Sequence, residues 1–330
     1  MNARIFFSGS LALLVFAGLQ LAPDAAQAQG KFPERPLRLV VPFAPGGVND
    51  IIGRRWAQEM SRALGQNMIV ENRAGASGAI GAMEVVRAKP DGYTLLIANT
   101  TTHVLSPLGN PKLGYDPVKD FTALGIITLV PTGVAVHPSL PVKNLKGLIA
   151  FARKNPGQLS FGSAGTGSIT HLTGELFKKL NGDLKIVHVP YKGAGPGLTD
   201  LVAGHIPMYT PTISPAPLQY HKAGRIRMLA ICADARLQAV PDVPTAAEAG
   251  MPELVVQAFN AIFLSPGVPR PVLDVLAQAN QKVLANAGMQ DFLRNAGAEP
   301  VTTSSPERAT QFIQKELQRW GPIVREVGTE

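Results

Sequence analysis

The feature that most constrains this chain is a cadence that restarts many times from residue 37: a short apolar run, a turn, then a stretch of helical periodicity. "LRLVV" leads to a helix near 49–64, "NMIVEN" to one near 77–88 and "YTLLIAN" to one near 102–108. That order is the βαβ repeat of a parallel sheet. It begins again with "TGVAVHP" and a helix near 144–154, "LSFGSA" and 168–180, "IVHVPY" and 195–203, then "RMLAICA" and a short helix at "TAAEAG". Over 168–180, Ile169, Leu172, Leu176, Phe177 and Leu180 recur at helical spacing, which lays one face on a sheet and leaves Lys178 and Lys179 opposite. "VVQAFNAIFLSPG" reads as a further strand, and two helices close the chain, one opened by Pro271 and one by Ser305-Pro306-Glu307. If these pack back on the first lobe, that lobe is discontinuous, with crossings near 127–133 and 254–260.

The pattern excludes several classes. Arg4, the apolar stretch Ile5–Leu21 and the small-x-small site Ala26-Gln27-Ala28 read as a secretory signal peptide over residues 1–28, cleaved after Ala28, which places the mature chain in the periplasm. No other run approaches the roughly 18–20 apolar residues of a membrane span. The sole cysteine, Cys232, lies in "IRMLAICA" and reads as an inert core residue. The formal charge is +8, but no basic run is longer than two residues and aromatics make up only 6%, so a nucleic-acid surface is not expected. The six histidines (103, 137, 171, 188, 205 and 221) are too dispersed for a local zinc pair, and no metal or cofactor is expected.

Two turns stand out. "VPFAPGGVND" ends a strand in glycines just before a helix start, an arrangement that offers backbone N–H groups and the positive end of a helix dipole to an anion. The lysine and hydroxyl of a phosphate-binding P-loop are missing, because Val48, Asn49 and Asp50 follow Gly47. "SFGSAGTGSITHL" repeats the device: Gly162, Gly165 and Gly167 let the backbone curl, and Ser163, Thr166 and Ser168 add hydroxyls at the helix start. A tight strand-to-helix turn is the plainer reading of the first, and an ordinary capped helix that of the second. A third segment, Asn99 to Thr102, follows another strand, and His171 lies in the first turn after the second loop, where capping is the commoner role. In open α/β sheets ligands sit beyond the carboxyl ends of strands, so one such loop per lobe sets two donor arrays across a cleft. At roughly 1.5–3 kcal/mol per hydrogen bond to a charged group, four or five donors support micromolar binding of a carboxylate.

Catalytic signatures come close and miss. Gly75-Ala76-Ser77-Gly78-Ala79 lacks the last glycine of a nucleophile elbow, and Gly165-Thr166-Gly167 is followed by Thr170 where a dinucleotide fingerprint needs glycine.

The blocks "VPFAPGGVNDIIGR", "VENRAGASGAIGAMEVVRAKPDGYTLL", "FGSAGTGSITHLTGELFK", "VHVPYKGAGPGLTDLVAGHI", "PDVPTAAEAG" and "LSPGVPRPVLDVL" resemble the extracytoplasmic solute receptors of tripartite tricarboxylate transporters, the Bug receptors. The resemblance implies a two-lobed α/β periplasmic-binding-protein fold of type II, each lobe a mainly parallel sheet flanked by helices. Lobe 1 would comprise 29–130 and 256–330, and lobe 2 would comprise 131–255. It implies a monomeric receptor that captures a carboxylate-bearing organic acid between the lobes and docks on a membrane permease, with no catalysis. Carried onto this sequence, the ligand contacts are Phe43, Ala44, Gly46, Gly47 and Asn49 in the first loop. Asn99, Thr100 and Thr101 form the third segment, with Ser163, Ala164, Gly165, Thr166, Gly167, Ser168 and His171 in the second loop. Many members carry an acidic residue near the end of the strand matching "IPMYTPTI" and a tryptophan where Phe259 stands; here Pro207, Thr210, Pro211 and Thr212 occupy that region, which argues against an amine-bearing ligand. An exported α/β hydrolase and a ligand-sensing partner of a sensor kinase are the alternatives.

Overall fold

The computed structural model describes residues 32–110 and 112–327; the leader expected over residues 1–28 lies outside them. In chain order the elements are β1 (Leu37–Val41), α1 (Val48–Leu64), β2 (Met68–Asn72), α2 (Ala79–Val86), β3 (Thr94–Asn99), α3 (Ser106–Gly109) and β4 (Thr122–Pro131). Next come β5 (Gly133–Val136), α4 (Leu145–Lys154), β6 (Leu159–Ser163), α5 (Ile169–Leu180), β7 (Ile186–Pro190), α6 (Ala194–Ala203), β8 (Met208–Tyr209), α7 (Pro215–Lys222) and β9 (Arg227–Ile231). The chain ends with β10 (Gln257–Leu264), α8 (Arg270–Ala285), α9 (Ala287–Asn295), β11 (Glu299–Pro300) and α10 (Pro306–Val327).

Two sheets organise these elements into two lobes: one in the order β11-β4-β10-β3-β1-β2, the other β7-β6-β8-β5-β9. The chain switches sheets between Pro131 and Gly133, and returns between Ile231 and Gln257. In the first sheet alternate residues feed opposite cores. Leu37, Leu39 and Val41 pack with Ile52, Trp56 and Met60 of α1 and with Leu276 of α8, whereas Val40, Leu96 and Ala98 join the cluster containing Ala82 of α2 and Trp320 of α10. Helices on both faces explain why β3, and β1 apart from Arg38, read as apolar runs. Two buried polar groups close the α1–α8 contact, Trp56 Nε1 donating to Asn280 Oδ1 at 2.8 Å.

The sheets are mixed, where mainly parallel ones are expected from the cadence. β1 pairs parallel with β2 and β3, and β6 with β7 and β8. β10 runs antiparallel between β3 and β4, β11 antiparallel to β4, and β5 antiparallel to β8 and β9. A chain that crosses to a second sheet and comes back has no crossover helix to restore its direction, so the returning strand enters reversed. The short helix expected at "TAAEAG" is instead a run of turns. Thr245 and Glu248 form the reciprocal bonds of a capping box, at 2.8 and 3.1 Å, but Gly250 (φ +91°) and Pro252 stop propagation. The chain closes with three helices where two are expected, because Asn286 both ends α8 and caps α9 by accepting from the Met289 N–H.

Candidate functional site

A cavity of about 880 Å³ is lined from both sheets. The first sheet contributes Phe43 to Asn49, Ile51 and Asn99 to Thr101; the second contributes Ala164, Ser168 to Thr170, Lys192 to Gly195, Thr212 and Ser214 to Ala216; Val130 and Ala258 to Asn260 complete the wall. A neighbouring cavity of about 580 Å³ shares Phe43, Thr101, Ala164, Ser168 and Gly193 with it and adds Ser77, Thr166 and Gly167. Nine of the expected contacts therefore line the larger cavity together with Gly46. Thr166 and Gly167 line only the smaller one, and Ser163, Gly165 and His171 line neither.

The first loop is held open by Asp50. Gly46 turns through φ +83°, and its N–H donates to Asp50 Oδ2 at 2.9 Å, so this amide is spent on the protein and is not an anion donor. Asn72 Nδ2 donates to Asp50 Oδ1 and to the Phe43 carbonyl, at 2.9 and 3.0 Å, and Arg54 pairs with Asp50 at 2.9 Å. Burial pushes the Asp50 carboxyl up, but the bonds from Arg54, the Gly46 N–H and Asn72 outweigh it and hold it below the ordinary value. The aspartate is thus turned back on its own loop. No side chain caps α1, so among the described residues the first-turn N–H groups of Val48 and Asn49 have no acceptor, and both residues line the cavity. Their surroundings are fixed: Asn49 Nδ2 donates to the Ile97 carbonyl at 3.3 Å, Asn99 Nδ2 to Asn49 Oδ1 at 3.0 Å, and the Phe259 N–H to Thr100 Oγ1 at 2.9 Å.

The second loop consumes most of its own donors. The Ala164 N–H donates to Thr170 Oγ1 (2.8 Å), Gly165 to Ser163 Oγ (3.1 Å), Gly167 to His171 Nδ1 (3.2 Å) and His171 to Ser168 Oγ (3.2 Å). The inward-pointing ring of amides expected from the glycines is therefore largely closed on itself. Hydroxyl-rich turns satisfy their backbone locally, and this one does. The Ile169 and Thr170 amides at the start of α5, with no acceptor among the described residues, are the counterparts of those on α1, and both residues line the cavity. His171 is a scaffold residue: its ring stacks on His188 with centroids 3.9 Å apart, and burial, with Lys178 assisting, pulls its pKa down to about 4. The neutral ring this produces is what lets Nδ1 accept from Gly167.

Several lining residues carry no expectation from the sequence. The start of α6, at Gly193 to Gly195, also has no side-chain cap, and among the described residues the preceding Lys192 is the one charged side chain lining the cavity and no acidic side chain lines it. "YKGAGPG" after β7 is the same strand, glycine turn and helix device as the other two loops, so the signal is present in the sequence. Asn260 is 2% exposed and its Oδ1 has no hydrogen-bond partner among the described residues. A separate groove of about 550 Å³ over α5 sets Glu175, Asp183 and Glu326 against Lys178, Lys179 and Lys185, and so carries no net formal charge to attract an anion. Among the described residues no cluster of histidine, cysteine or acidic side chains is grouped to hold a metal ion, and no helix is long and apolar enough to cross a membrane.

The family model for the tripartite tricarboxylate transporter family receptor, TctC, matches residues 52–329. Three solved structures resemble the chain over most of its length. R. palustris Rpa4515, solved with adipate, is 35% identical with a TM-score of 0.81, covering 90% of this chain and 98% of its own. MatC (Rpa3494) from Rhodopseudomonas palustris, with bound malate, is 33% identical with a TM-score of 0.77, covering 89% and 100%. The periplasmic binding protein BugD is 30% identical with a TM-score of 0.78, covering 91% and 99%. The two-lobed fold, the helix starts gathered around a shared cleft and these matches agree: the chain belongs to the tripartite tricarboxylate transporter receptor family, alongside the Bug proteins.

Proposed function

We propose that the protein is a periplasmic receptor that captures a carboxylate-bearing organic acid between its lobes and delivers it to the membrane permease of a tripartite tricarboxylate-type transporter. The observation that carries this reading is the pair of open helix starts, Val48–Asn49 on α1 and Ile169–Thr170 on α5, which line one cavity from opposite sheets. A carboxylate bridging them would satisfy amides from both lobes at once, and its differential affinity for the closed arrangement would shift the population toward closure. Phe43, Ala44, Gly47, Asn49, Asn99, Thr100, Thr101, Ala164 and Ser168 would form the walls; Ser163, Gly165 and His171 would hold the second loop in shape from behind. The lobes would run over 29–130 with 256–330, and over 131–255, with the leader removed after Ala28.

The ligand class follows from the lining. A lone lysine and no acid favour an anion without an ammonium group, since a buried cation would lack a counter-charge. Adipate and malate, each seen with a relative in this family, are in that class. No chemistry is assigned: Ser163 lies 2.7 Å from His188 Nε2 in the manner of a nucleophile and base, yet it is fully buried and lines neither cavity. A thermal-shift screen of organic acids on the mature protein, followed by calorimetry, tests the reading, because a ligand that binds only the folded state raises the melting temperature with saturation. Micromolar binding of non-amino organic acids is expected. Aspartate or glutamate binding more tightly than every non-amino acid would refute the ligand class, and no response to any acid would refute the receptor role.

A further inference from the structure

We propose that Asn260 reads a hydroxyl group on the ligand, so that the cleft takes hydroxy acids in preference to their deoxy counterparts. This deepens the carboxylate-receptor reading above and rests on it. Asn260 stands in β10 directly opposite Asn99 of β3 and Thr128 of β4, at the level where the strands end on the cavity. Both neighbours are already engaged. Asn99 donates to Asn49 Oδ1 and accepts from the Thr102 N–H, and Thr128 Oγ1 donates to the Glu299 carbonyl. Asn260 therefore lines a ligand cavity and carries a buried, unpartnered carboxamide oxygen, and a buried polar atom left in that state costs about 1–3 kcal/mol until something pairs with it.

The chemistry of the missing partner is restricted. The orphan atom accepts, so the partner must donate. A carboxylate only accepts and would face Oδ1 unfavourably; an ammonium donates, but among the described residues the cavity has no acidic side chain to balance it. A hydroxyl donates to Oδ1 and accepts from Nδ2, so it serves the carboxamide in either orientation. With the carboxylate at the helix starts, a hydroxyl on the same small acid completes the site. A pocket built to bond a hydroxyl discriminates strongly against the analogue that lacks it, because the analogue leaves the protein group unpaired.

The test uses matched pairs on the mature wild-type protein, by calorimetry: malate against succinate, lactate against propionate, and mandelate against phenylacetate. The hydroxylated member of at least one pair should bind about tenfold or more tightly. Asn260→Leu, close in volume, should reduce that ratio to near one by weakening the hydroxy acid more than its deoxy partner; Asn260→Ala repeats the measurement should the leucine variant melt early. Wild-type ratios near one in every pair overturn the inference while leaving the receptor role standing, as does a variant that weakens both members of a pair equally. Failure of the wild-type protein to bind these six acids or any other acid of the thermal-shift screen overturns the receptor role itself.

Discussion

His103 offers a test of the structure that does not depend on any ligand. It is fully buried in the first lobe, its ring stacked on Phe263 with centroids 4.0 Å apart and tilted against Phe121 at 4.6 Å. Nδ1 lies 3.2 Å from Thr102 Oγ1 and Nε2 has no partner among the described residues, so nothing there compensates a charge. Burial accordingly lowers its pKa from 6.5 to about 3. In the unfolded chain the ring protonates near its ordinary value, whereas in the folded chain it stays neutral. A depressed folded pKa means the contribution is fully present above 6.5 and is lost as pH falls from there toward 3. At pH 5 the unfolded state is favoured by about 1.5 pH units of proton binding, or about 2 kcal/mol, at about 1.4 kcal/mol per unit. For a chain of this size that is roughly 4 °C in melting temperature. His103→Phe removes the titration and keeps an aromatic ring in the cluster. Comparing melts of wild type and variant at pH 7 and pH 5 isolates the residue, because His171 and His188, also depressed to about 4 by burial, remain in both proteins. The wild type should lose roughly 4 °C more than the variant between the two pH values. Equal losses would mean that His103 is hydrated or paired in solution, and the burial argument would fail.

Three further substitutions probe the loops and the packing of α5. Asp50→Asn removes the Arg54 pair and the anionic acceptor of the Gly46 N–H, and should cost about 1–3 kcal/mol in urea denaturation at pH 7; because its folded pKa is depressed, the difference should begin to shrink as pH falls below 3.8 and vanish once pH passes the lower folded value. Ser168→Ala deletes the cap on His171 N–H and the bond to the Gly165 carbonyl, and should lower stability by about 1 kcal/mol while weakening carboxylate binding; unchanged binding would detach α5 from the site. Gly174→Ala would drive a methyl group into the Phe161 ring against β6, so a loss of about 1–3 kcal/mol is expected by chemical denaturation, and a neutral result would show that this packing relaxes.

The helices and parallel strands were legible because their signals are local. Helix α1 carries Ile52, Trp56 and Met60 at helical spacing and stops at Gly65 in the left-handed region, all visible in the letters. β4 escaped because "TALGIITLVP" continues apolar on both faces and has no following helix to mark it, and the insertion of β10 beside it depends on a pairing far away in the chain. In the site, sequence reasoning located the two glycine turns but could not tell open amides from spent ones. Whether the Gly165 N–H is free depends on where the Ser163 hydroxyl turns, and the same serines and threonines that suggest an anion cradle are the groups that close it. Asn260 was invisible for another reason: an asparagine within an apolar strand reads as a packing compromise until its neighbours are seen to be satisfied without it.

The position of β10 bears on how the molecule is made. It fills the middle of the first sheet, where the Phe259 N–H reaches Thr100 across 159 residues, so β3 and β4 each wait for a neighbour that emerges only after the whole second lobe. Contacts of such long separation are slow to form, and the first lobe cannot be finished co-linearly with synthesis. The second sheet, drawn from one unbroken stretch, is free to assemble first and would then serve as the template that brings the two ends of its partner together.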